Sequence, residues 1–584
     1  MDTVNLKING LDVTAPAGAT ILEAARAAGI KIPTLCFLKD INEIGACRMC
    51  VVEVKGARNL VASCVHPVAE GMEVLTNTPA LIESRKRTLQ LLLSDHDKKC
   101  LQCVRSGKCE LQELCQELGV EDENYYTGER HTPEKDESAV HMVRDNSKCI
   151  LCRRCVAVCE KCQGVAVIGP NKRGFNTFIG SPFEMGLGET SCVNCGQCIA
   201  ACPTGALYEK SYIDEILEAI ADPEKFVVVQ PAPSVRAALG EEFGYPIGTD
   251  VEGKMAAALR RIGFDKVFDT DFGADLTIVE EATELVERVT KGGVLPMITS
   301  CSPGWVKYCE HYYPDQLAHL SSCKSPQQMF GAIVKTYYAE KMGIDPKKIV
   351  SVSVMPCTAK KFEIQRPGQA AAGVPDVDIS ITTRELARLI RKVGIDFRAL
   401  PDEDFDSPLG ESTGGAVIFG ATGGVMEAAL RMAVEKITGE KLADVEFKEV
   451  RGTQGIKEAT YNVAGKEVKV AVASGTANAK ILMDQIRAGT APWTFVEVMC
   501  CPGGCVCGGG QPQVHADVRN FQDVKALRAG VLYRNDAAKA IRKSQDNPSI
   551  RKLYAEYFGG EENFGCEKAH HILHTHYVPR TVNG

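Results

Sequence analysis

The 26 cysteines are the residues of this chain whose spacing says most about its chemistry. Two runs read C-x2-C-x2-C-x3-C, and the second ends in Cys202-Pro203. Thiols grouped in this way bind metal rather than form disulfides in a reducing compartment. In this pattern the fourth cysteine of each run serves the other cluster, so two four-iron clusters are predicted. Their ligands would be Cys149, Cys152, Cys155 and Cys202 for one cluster, and Cys192, Cys195, Cys198 and Cys159 for the other.

Two further groups of candidate ligands precede these runs. The first contains four cysteines, and four thiolates can hold a two-iron or a four-iron cluster. The second reads H-x3-C-x2-C-x5-C, and a histidine at that place fits a cluster ligand. A zinc site is the alternative for both groups, because zinc takes the same ligand types. The ligands would be Cys36, Cys47, Cys50 and Cys64 in the first group, and His96, Cys100, Cys103 and Cys109 in the second.

The first 78 residues must position the earliest of these groups. Their start alternates polar and apolar residues, and Asn9-Gly10 is a strong hairpin signal. A short helix is predicted between Thr20, a suitable N-cap, and Gly29, a suitable stop. Two strands followed by a helix predict a β-grasp domain of the plant-type ferredoxin kind at 1–78.

The rest of the chain divides into three parts with different patterns. Residues 79–120 predict a mainly helical domain, and the polar, acidic stretch 121–145 predicts a linker. The cysteine repeat lies in 140–209. Residues 210–584 alternate strand-like runs with helices, which predicts a two-lobed α/β domain with parallel sheets. The fold class is therefore multidomain, α+β and α/β.

Three segments near the end of the chain carry a resemblance to a known family. They read TSCSPGW at 299–305, MPCTAKKFE at 355–363, and EVMCCPGGC at 497–505 followed by GGGQP. They resemble, in order and spacing, the three signature motifs of iron-only (FeFe) hydrogenases. The first two ligand groups are similar to those at the start of these hydrogenases and of the large peripheral subunit of respiratory complex I. That resemblance implies one two-iron cluster, and a four-iron cluster held by one histidine and three cysteines.

The resemblance also implies a catalytic cluster, the H-cluster. In the family, a four-iron cubane is joined through one cysteine to a diiron unit that carries CO and cyanide. Lys360, Ser234 and Pro233 correspond to groups that hold the cyanides, and Met355 and Met499 to packing around the carbonyls. The cubane ligands correspond to Cys357, Cys501 and Cys505, with Cys505 as the bridge.

One position departs from the family pattern. Most members have two adjacent cysteines before Pro-Gly-Trp, the first relaying protons and the second ligating the cubane. Here Cys301 is followed by Ser302, whose hydroxyl is a poor iron ligand beside a thiol. Either Ser302 ligates, or the loop shifts and Cys301 ligates. The sequence does not decide between these two possibilities.

The resemblance further implies a route for protons. It corresponds to Glu281, Glu284, Ser321 and Cys301. The two acids are one helical turn apart, so they would face the same side of a helix. Two exposed acids on an amphipathic helix are the alternative.

Composition excludes several classes of function. The net charge of −8 predicts no nucleic-acid or anionic-membrane surface. The first residues contain no apolar signal-peptide core, and no run of about 18 apolar residues predicts a membrane span. We therefore expect a cytoplasmic protein.

Neither a G-x-G-x-x-G after a strand nor a P-loop is present in the sequence, so we expect no NAD(P) or flavin site in this chain. The early segments resemble subunits of multimeric NAD(P)-linked hydrogenases. This implies H2 and protons as substrates, with flavin- and NAD(P)-binding and small ferredoxin-like subunits as partners. A stand-alone enzyme that uses free ferredoxin is the first alternative. A complex-I-like electron-transfer subunit, an iron–sulfur assembly protein and an H2 sensor are weaker ones.

Seven cysteines belong to none of these patterns. We expect each of them to be a small buried apolar side chain without a chemical role. They are Cys115, Cys162, Cys309, Cys323, Cys500, Cys507 and Cys566.

Overall fold

The computed structural model describes residues 2–580. Its first sheet has the strand order Leu11–Pro16, Thr3–Ile8, Glu73–Leu75, Val51–Val54 and Val61–Ala62. The first two strands form the predicted hairpin, and Asn9 and Gly10 at its turn have φ angles of 51° and 83°. Positive φ at both positions is typical of a type I′ turn, which these residues tolerate best. The predicted helix is also confirmed, as Ile21–Ala27, and the Thr20 hydroxyl accepts a hydrogen bond from its first turn.

A helical segment follows the sheet, as the sequence predicts. Helices Pro79–Ser94 and Glu110–Glu117 are joined by a loop that contains a 3-10 turn at Cys100–Gln102. Leu89 of the first helix and Leu111 of the second are buried in one small apolar cluster. This packing fixes the loop that carries the cysteines of the second ligand group.

The cysteine repeat folds as two similar halves. Strands Met142–Arg144 and Leu207–Glu209 pair antiparallel, as do Gly169–Asn171 and Phe178–Gly180. Helices Arg154–Ala157 and Gln197–Ala201 each follow a residue with positive φ. Strand Met142–Arg144 lies within the stretch that the sequence indicated as a linker, so the irregular connection ends before it.

Two four-stranded sheets form the last part of the chain, as expected for a two-lobed α/β domain. The first is fully parallel, whereas the second contains one antiparallel hairpin, Ile456–Val463 with Lys466–Ser474. The parallel strands of both sheets end around one central cavity. The first sheet has the order Lys266–Val267, Phe226–Pro231, Ile349–Met355, Ile379–Thr382, and the second Met297–Ile298, Phe495–Met499, Lys466–Ser474, Ile456–Val463.

Helices cover both sheets. The 22-residue helix Thr270–Lys291 is buried along most of its length and packs against helices Pro326–Ile333 and Gly424–Thr438. Within residues 2–580, none of the helices is long and apolar enough to cross a membrane. The remaining α-helices of this part are Ile213–Ala221, Pro233–Arg236, Glu252–Ile262, Pro303–Tyr312, Ala339–Met342, Lys360–Glu363, Thr383–Lys392, Gly414–Val417, Thr476–Arg487, Ala516–Arg519, Val524–Ala538, Pro548–Tyr557 and Glu567–Leu573.

Candidate active site and cluster ligands

The first four predicted ligands lie together beside the first sheet. The Sγ atoms of Cys50 and Cys64 are 3.3 Å apart, and the thiols of Cys36 and Cys47 are hydrogen-bonding neighbours. The pKa of Cys47 falls to about 6, because the Cys36 thiol and several backbone N–H groups, including that of Met49, donate to its sulfur. Four thiols that meet backbone donors fit an iron–sulfur cluster, since such donors stabilise negative sulfur.

The second group brings its three cysteines to one place. The thiols of Cys100 and Cys109 both lie close enough to Cys103 for their charges to interact. His96 is buried, and burial lowers the pKa of its imidazole to about 4, so the ring is neutral and can ligate. Within residues 2–580 its Nδ1 is buried without a hydrogen-bond partner. An unpartnered buried nitrogen costs free energy, and a bound metal would remove that cost.

Two cavities of the repeat contain the other eight predicted ligands. The fourth cysteine of each run lies with the first three of the opposite run. Eight thiols in two groups of four fit two four-iron clusters. One cavity is lined by Cys149, Cys152, Cys155 and Cys202, and the other by Cys159, Cys192, Cys195 and Cys198.

A larger cavity lies where the parallel strands of the two α/β sheets end. Strand Phe226–Pro231 leads into it from the first sheet and strand Phe495–Met499 from the second. The carboxyl edge of such sheets is the usual place for a ligand. Every residue predicted to hold the catalytic cluster lines this cavity: Pro233, Ser234, Cys301, Ser302, Met355, Cys357, Lys360, Met499, Cys501 and Cys505.

Glycines bring the third motif against the second. A Cβ on Gly508 would lie 2.1 Å from the Pro356 carbonyl oxygen, and one on Gly510 would lie 2.9 Å from the Cys357 nitrogen. Any larger residue would push the two loops apart, because real Cβ atoms do not approach so closely. The loops therefore form a cradle in which Cys357 and Cys505 face the same space, as a large inorganic group requires.

Lys360 points its ammonium group at the cavity from a buried position. Its Nζ donates to Glu363 Oε2 at 2.9 Å and to the Cys301 carbonyl oxygen at 3.2 Å. An ammonium has three protons, so these two bonds leave one donor for a ligand in the cavity. Glu363 also accepts from Gln327 Nε2 at 2.8 Å, which fixes the carboxylate that orients the lysine. A fixed cation of this kind suits an anionic ligand such as cyanide.

Cys301 and Ser302 face different neighbours. The Ser302 hydroxyl accepts a hydrogen bond from the Cys500 N–H at 3.1 Å, at the start of helix Pro303–Tyr312. Burial raises the pKa of the Cys301 thiol well above its ordinary value, and the neighbouring Glu281 carboxyl raises it further. Cys301 therefore lies beside an acid of the predicted proton route, and Ser302 lies next to the third motif.

The two predicted acids point into the protein. Glu284 accepts from the Ser321 hydroxyl at 2.9 Å and from the Arg288 guanidinium at 2.6 Å. Glu281 is fully buried beside Ser321 and Cys301. Burial, together with the Glu284 charge, raises the pKa of Glu281 to about 8, so it is neutral at pH 7. The alternative of two exposed acids is wrong, because tertiary packing covers this face of the helix.

A pH dependence of stability follows from the buried Glu281. Between its usual pKa of 4.5 and about 8, the folded state keeps this proton and the unfolded chain loses it. The folded state then binds more protons, so the contribution of Glu281 to stability falls as the pH rises through this window. We expect Glu281→Gln to raise the melting temperature relative to wild type more at pH 8 than at pH 5. Differential scanning calorimetry of the apoprotein tests this, and an equal shift at both pH values would contradict it.

Comparisons with known proteins decide the family. The chain is 52% identical to "NADP-reducing hydrogenase subunit HndD" of Solidesulfovibrio fructosivorans, over 99% of this chain and 100% of that one. It is 45% identical to "Iron hydrogenase 1" of Clostridium pasteurianum, over 98% and 99% of the two chains. The chain belongs to the iron-only hydrogenases. A solved structure of apo FeFe-hydrogenase HydA1 from Chlamydomonas reinhardtii matches this hydrogenase with a TM-score of 0.56 and 42% identity, covering 63% of this chain and 99% of that one.

Family descriptions match this hydrogenase along most of its length. "Iron only hydrogenase large subunit, C-terminal domain" matches 225–509, and "Iron hydrogenase small subunit" matches 522–580. "2Fe-2S iron-sulfur cluster binding domain" matches 1–79, "NADH-ubiquinone oxidoreductase-G iron-sulfur binding region" matches 85–124, and "4Fe-4S dicluster domain" matches 148–206. The complex-I-like alternative therefore explains only the early cluster segments of this hydrogenase.

Sequence reasoning missed several neighbours of the site. Arg288, which binds Glu284, could have been found, because it lies one helical turn further along. The contact of Cys195 with the catalytic cavity had no local signal, since it depends on how two domains pack. Cys323 and His574, which lie beside Glu284, also had no local signal, because they are far apart in the chain.

Proposed function

We propose that this hydrogenase passes electrons between the catalytic cavity and an NADP-linked partner subunit, through clusters held by residues 1–209. One observation carries the first part of this proposal, the electron path into the catalytic cavity. Cys195, a predicted ligand of a four-iron cluster, lines both that cluster's cavity and the catalytic cavity. The two cavities therefore share a wall, and electrons would have a short path between them.

The loop around Cys195 is packed tightly against the catalytic motifs. A Cβ on Gly509 would lie 2.1 Å from the Cys195 carbonyl oxygen, and one on Gly196 would lie 2.4 Å from the Thr358 hydroxyl. The Thr358 hydroxyl donates to the Asn194 carbonyl oxygen at 2.7 Å. These contacts hold the Cys195 loop directly against the catalytic motifs, so the two cavities are adjacent.

The residues of the catalytic cavity fit the group that the family implies. When bound, the cubane and diiron unit supply the metal chemistry by which H2 is split or formed. Cys357, Cys501 and Cys505 would hold it, with Cys505 joining its two parts. The carbonyl and cyanide ligands would meet the remaining lining residues: Lys360, Ser234 and Pro233 at the cyanides, and Met355 and Met499 at the carbonyls.

Protons would move along four side chains that connect the cavity with the surface. Cys301 faces the cavity, and Glu281 lies behind it. The Ser321 hydroxyl lies beside Glu281 and donates to Glu284 at 2.9 Å. A group with a pKa of about 8 can take up and release protons near neutral pH, so Glu281 suits the central place in this route.

The proposed partner is a flavin-containing, NADP-binding subunit of a cytoplasmic hetero-oligomer. The relative with 52% identity is named as a subunit of an NADP-reducing hydrogenase, and it matches this chain from end to end. Purification of the native enzyme without oxygen, with identification of the chains that accompany it, tests the proposal. We expect H2-dependent reduction of NADP by the complex. A chain that purifies alone and reduces only ferredoxin would contradict this and favour the stand-alone alternative.

The proposed cofactors predict the iron content. One two-iron cluster, three four-iron clusters and a six-iron catalytic group require about 20 iron atoms per chain. Elemental analysis of anaerobically purified, matured protein should give this value, with almost no zinc left after chelation. One zinc ion per chain that survives chelation and replaces iron at Cys36 or Cys100 would show that an early group is a zinc site.

The predicted histidine ligand can be tested apart from catalysis. We expect His96→Ala to lower the iron content by about four atoms. H2 activity with an artificial dye should be largely retained, because a dye can take electrons from the remaining clusters. Iron analysis and electron paramagnetic resonance measure the loss. His131→Ala is the control, since His131 hydrogen-bonds Asp95 near the surface and should keep all iron. Loss of dye-linked activity in His96→Ala would mean that the catalytic site depends on this residue.

A further inference from the structure

Three side chains with metal-binding groups meet at the outer end of the proposed proton route. A ligand atom of each of Glu284, Cys323 and His574 lies within 4.8 Å of the others. The Cys323 Sγ is 3.8 Å from Glu284 Oε2. Cys323 is buried, whereas the side chains of Glu284 and His574 are 15% and 6% exposed. The group therefore lies directly beneath the surface, where an ion from solvent can reach it.

The backbone holds these residues in place before any ligand binds. Cys323 and His574 pair as an antiparallel bridge, flanked by backbone hydrogen bonds of 2.8 and 2.7 Å. Glu284 projects from a long buried helix, and its carboxylate accepts from the Ser322 N–H at 3.0 Å. Segments distant in the chain are thus fixed around one point, and only small side-chain movements would be needed for a common ligand.

His574 is already oriented as metal-bound histidines are. Its Nε2 is 2.9 Å from Glu280 Oε2, and its Nδ1 is 2.8 Å from the Ser322 hydroxyl. A histidine that ligates a metal usually gives its other N–H to a carboxylate, which fixes the ring. Glu280 is buried and is itself held by the Gly565 N–H at 2.9 Å. With Nε2 donating to Glu280, Nδ1 is free to ligate once the Ser322 hydroxyl turns away.

We propose that Glu284, Cys323 and His574 bind one zinc ion, and that zinc bound there closes the proton route. A thiolate, an imidazole and a carboxylate are the ligands that zinc prefers, and three protein ligands leave one position for water. Calcium and magnesium would be excluded, because they require oxygen ligands. The closure rests on the proposed function: Glu284 bound to a cation can no longer accept the Ser321 proton.

The test uses the intact, matured enzyme, stripped with a chelator and then given Zn2+ without oxygen. Equilibrium dialysis should show one zinc ion per chain with no loss of iron. Zinc-edge X-ray absorption should show one sulfur at about 2.3 Å, with nitrogen and oxygen at about 2.0–2.1 Å. Dye-linked H2 oxidation should fall by about 10²-fold or more at saturating zinc, as expected when one proton-transfer group is blocked, and recover with chelator.

Two variants and one control connect these signals to the site. Cys323→Ser and His574→Gln preserve the size and hydrogen bonding of the side chains, and each should weaken zinc binding and inhibition at least about 10-fold. His571→Gln is the control, because His571 is an exposed histidine of helix Glu567–Leu573, which ends just before His574, and it belongs to neither the site nor the route. It should bind zinc and be inhibited as wild type. Wild-type iron content in all three variants shows that they fold.

The outcomes separate the zinc site from the proton route. Zinc that fails to bind, or that binds equally well to Cys323→Ser and His574→Gln, overturns the site. Zinc that binds with the expected sulfur signal but leaves turnover unchanged overturns the closure, and it places the error in the role proposed for Glu284. Binding and inhibition that are both lost in the two variants support the whole proposal.

Discussion

Replacing Cys505 by alanine is expected to abolish H2 activity and to remove every infrared band of metal-bound CO and cyanide. The cavity places Cys505 with Cys357 and Cys501, and the family resemblance makes it the link between the cubane and the diiron unit. Loss of a supporting contact around a metal site already costs about 10–100-fold, so loss of a bridging ligand should cost more. Infrared spectra and H2 uptake of matured wild type and variant measure both effects.

The control for this prediction is another buried cysteine that lies outside the cavity. Cys309 is within helix Pro303–Tyr312, and its thiol lies 3.7 Å from the Tyr313 carbonyl oxygen. Cys309→Ala should lose some stability but keep the infrared bands and turnover, because no cluster depends on it. If Cys505→Ala kept the bands and full activity, the diiron unit would be attached elsewhere, and the assignment of the third motif would be wrong.

The grouping of the eight repeat cysteines could be predicted from sequence to the level of single residues. The spacing around Cys159 and Cys202 determines which side of the repeat each thiol reaches, because the short helices between the ligands leave little freedom. The hairpin at Asn9 could also be predicted from local sequence, since two residues with positive φ determine the turn. The parallel sheets followed from alternating strands and helices, but which strands form which sheet did not.

The surroundings of the site could not be predicted, because they depend on packing between distant segments. Glu281 became a buried acid with a raised pKa only because other elements cover its helix. Cys323 was expected to have no chemical role, and its sequence neighbours give no sign of His574, which pairs with it across the fold. Local patterns therefore predicted which cysteines lie together, and the structure was needed to find the charged and proton-binding groups around them.

The second large effect, on turnover, is expected at Cys301 and Ser302, where the sequence departs from the family pattern. Ser302 occupies the family's ligand position, where its hydroxyl accepts from the Cys500 N–H at 3.1 Å. Cys301 lies on the other side, beside Glu281. In the same surroundings a thiol is still far more acidic than a serine hydroxyl, and a relay must lie next to its partner. These neighbours favour Cys301 as the relay and leave Ser302 at the cubane.

We therefore expect Cys301→Ala to retain all cluster signals and to lose about 10²–10⁴-fold in turnover, the range typical of a lost acid–base group. Infrared and electron paramagnetic resonance spectra report on the clusters, and H2 uptake reports on turnover. Ser302→Cys is the matched comparison, and it should keep or raise activity, because a thiolate is the better iron ligand. Loss of the cubane signals in Cys301→Ala would instead make Cys301 the ligand. An intact cluster with full turnover would exclude both roles, since a residue that ligates or relays cannot be removed without loss.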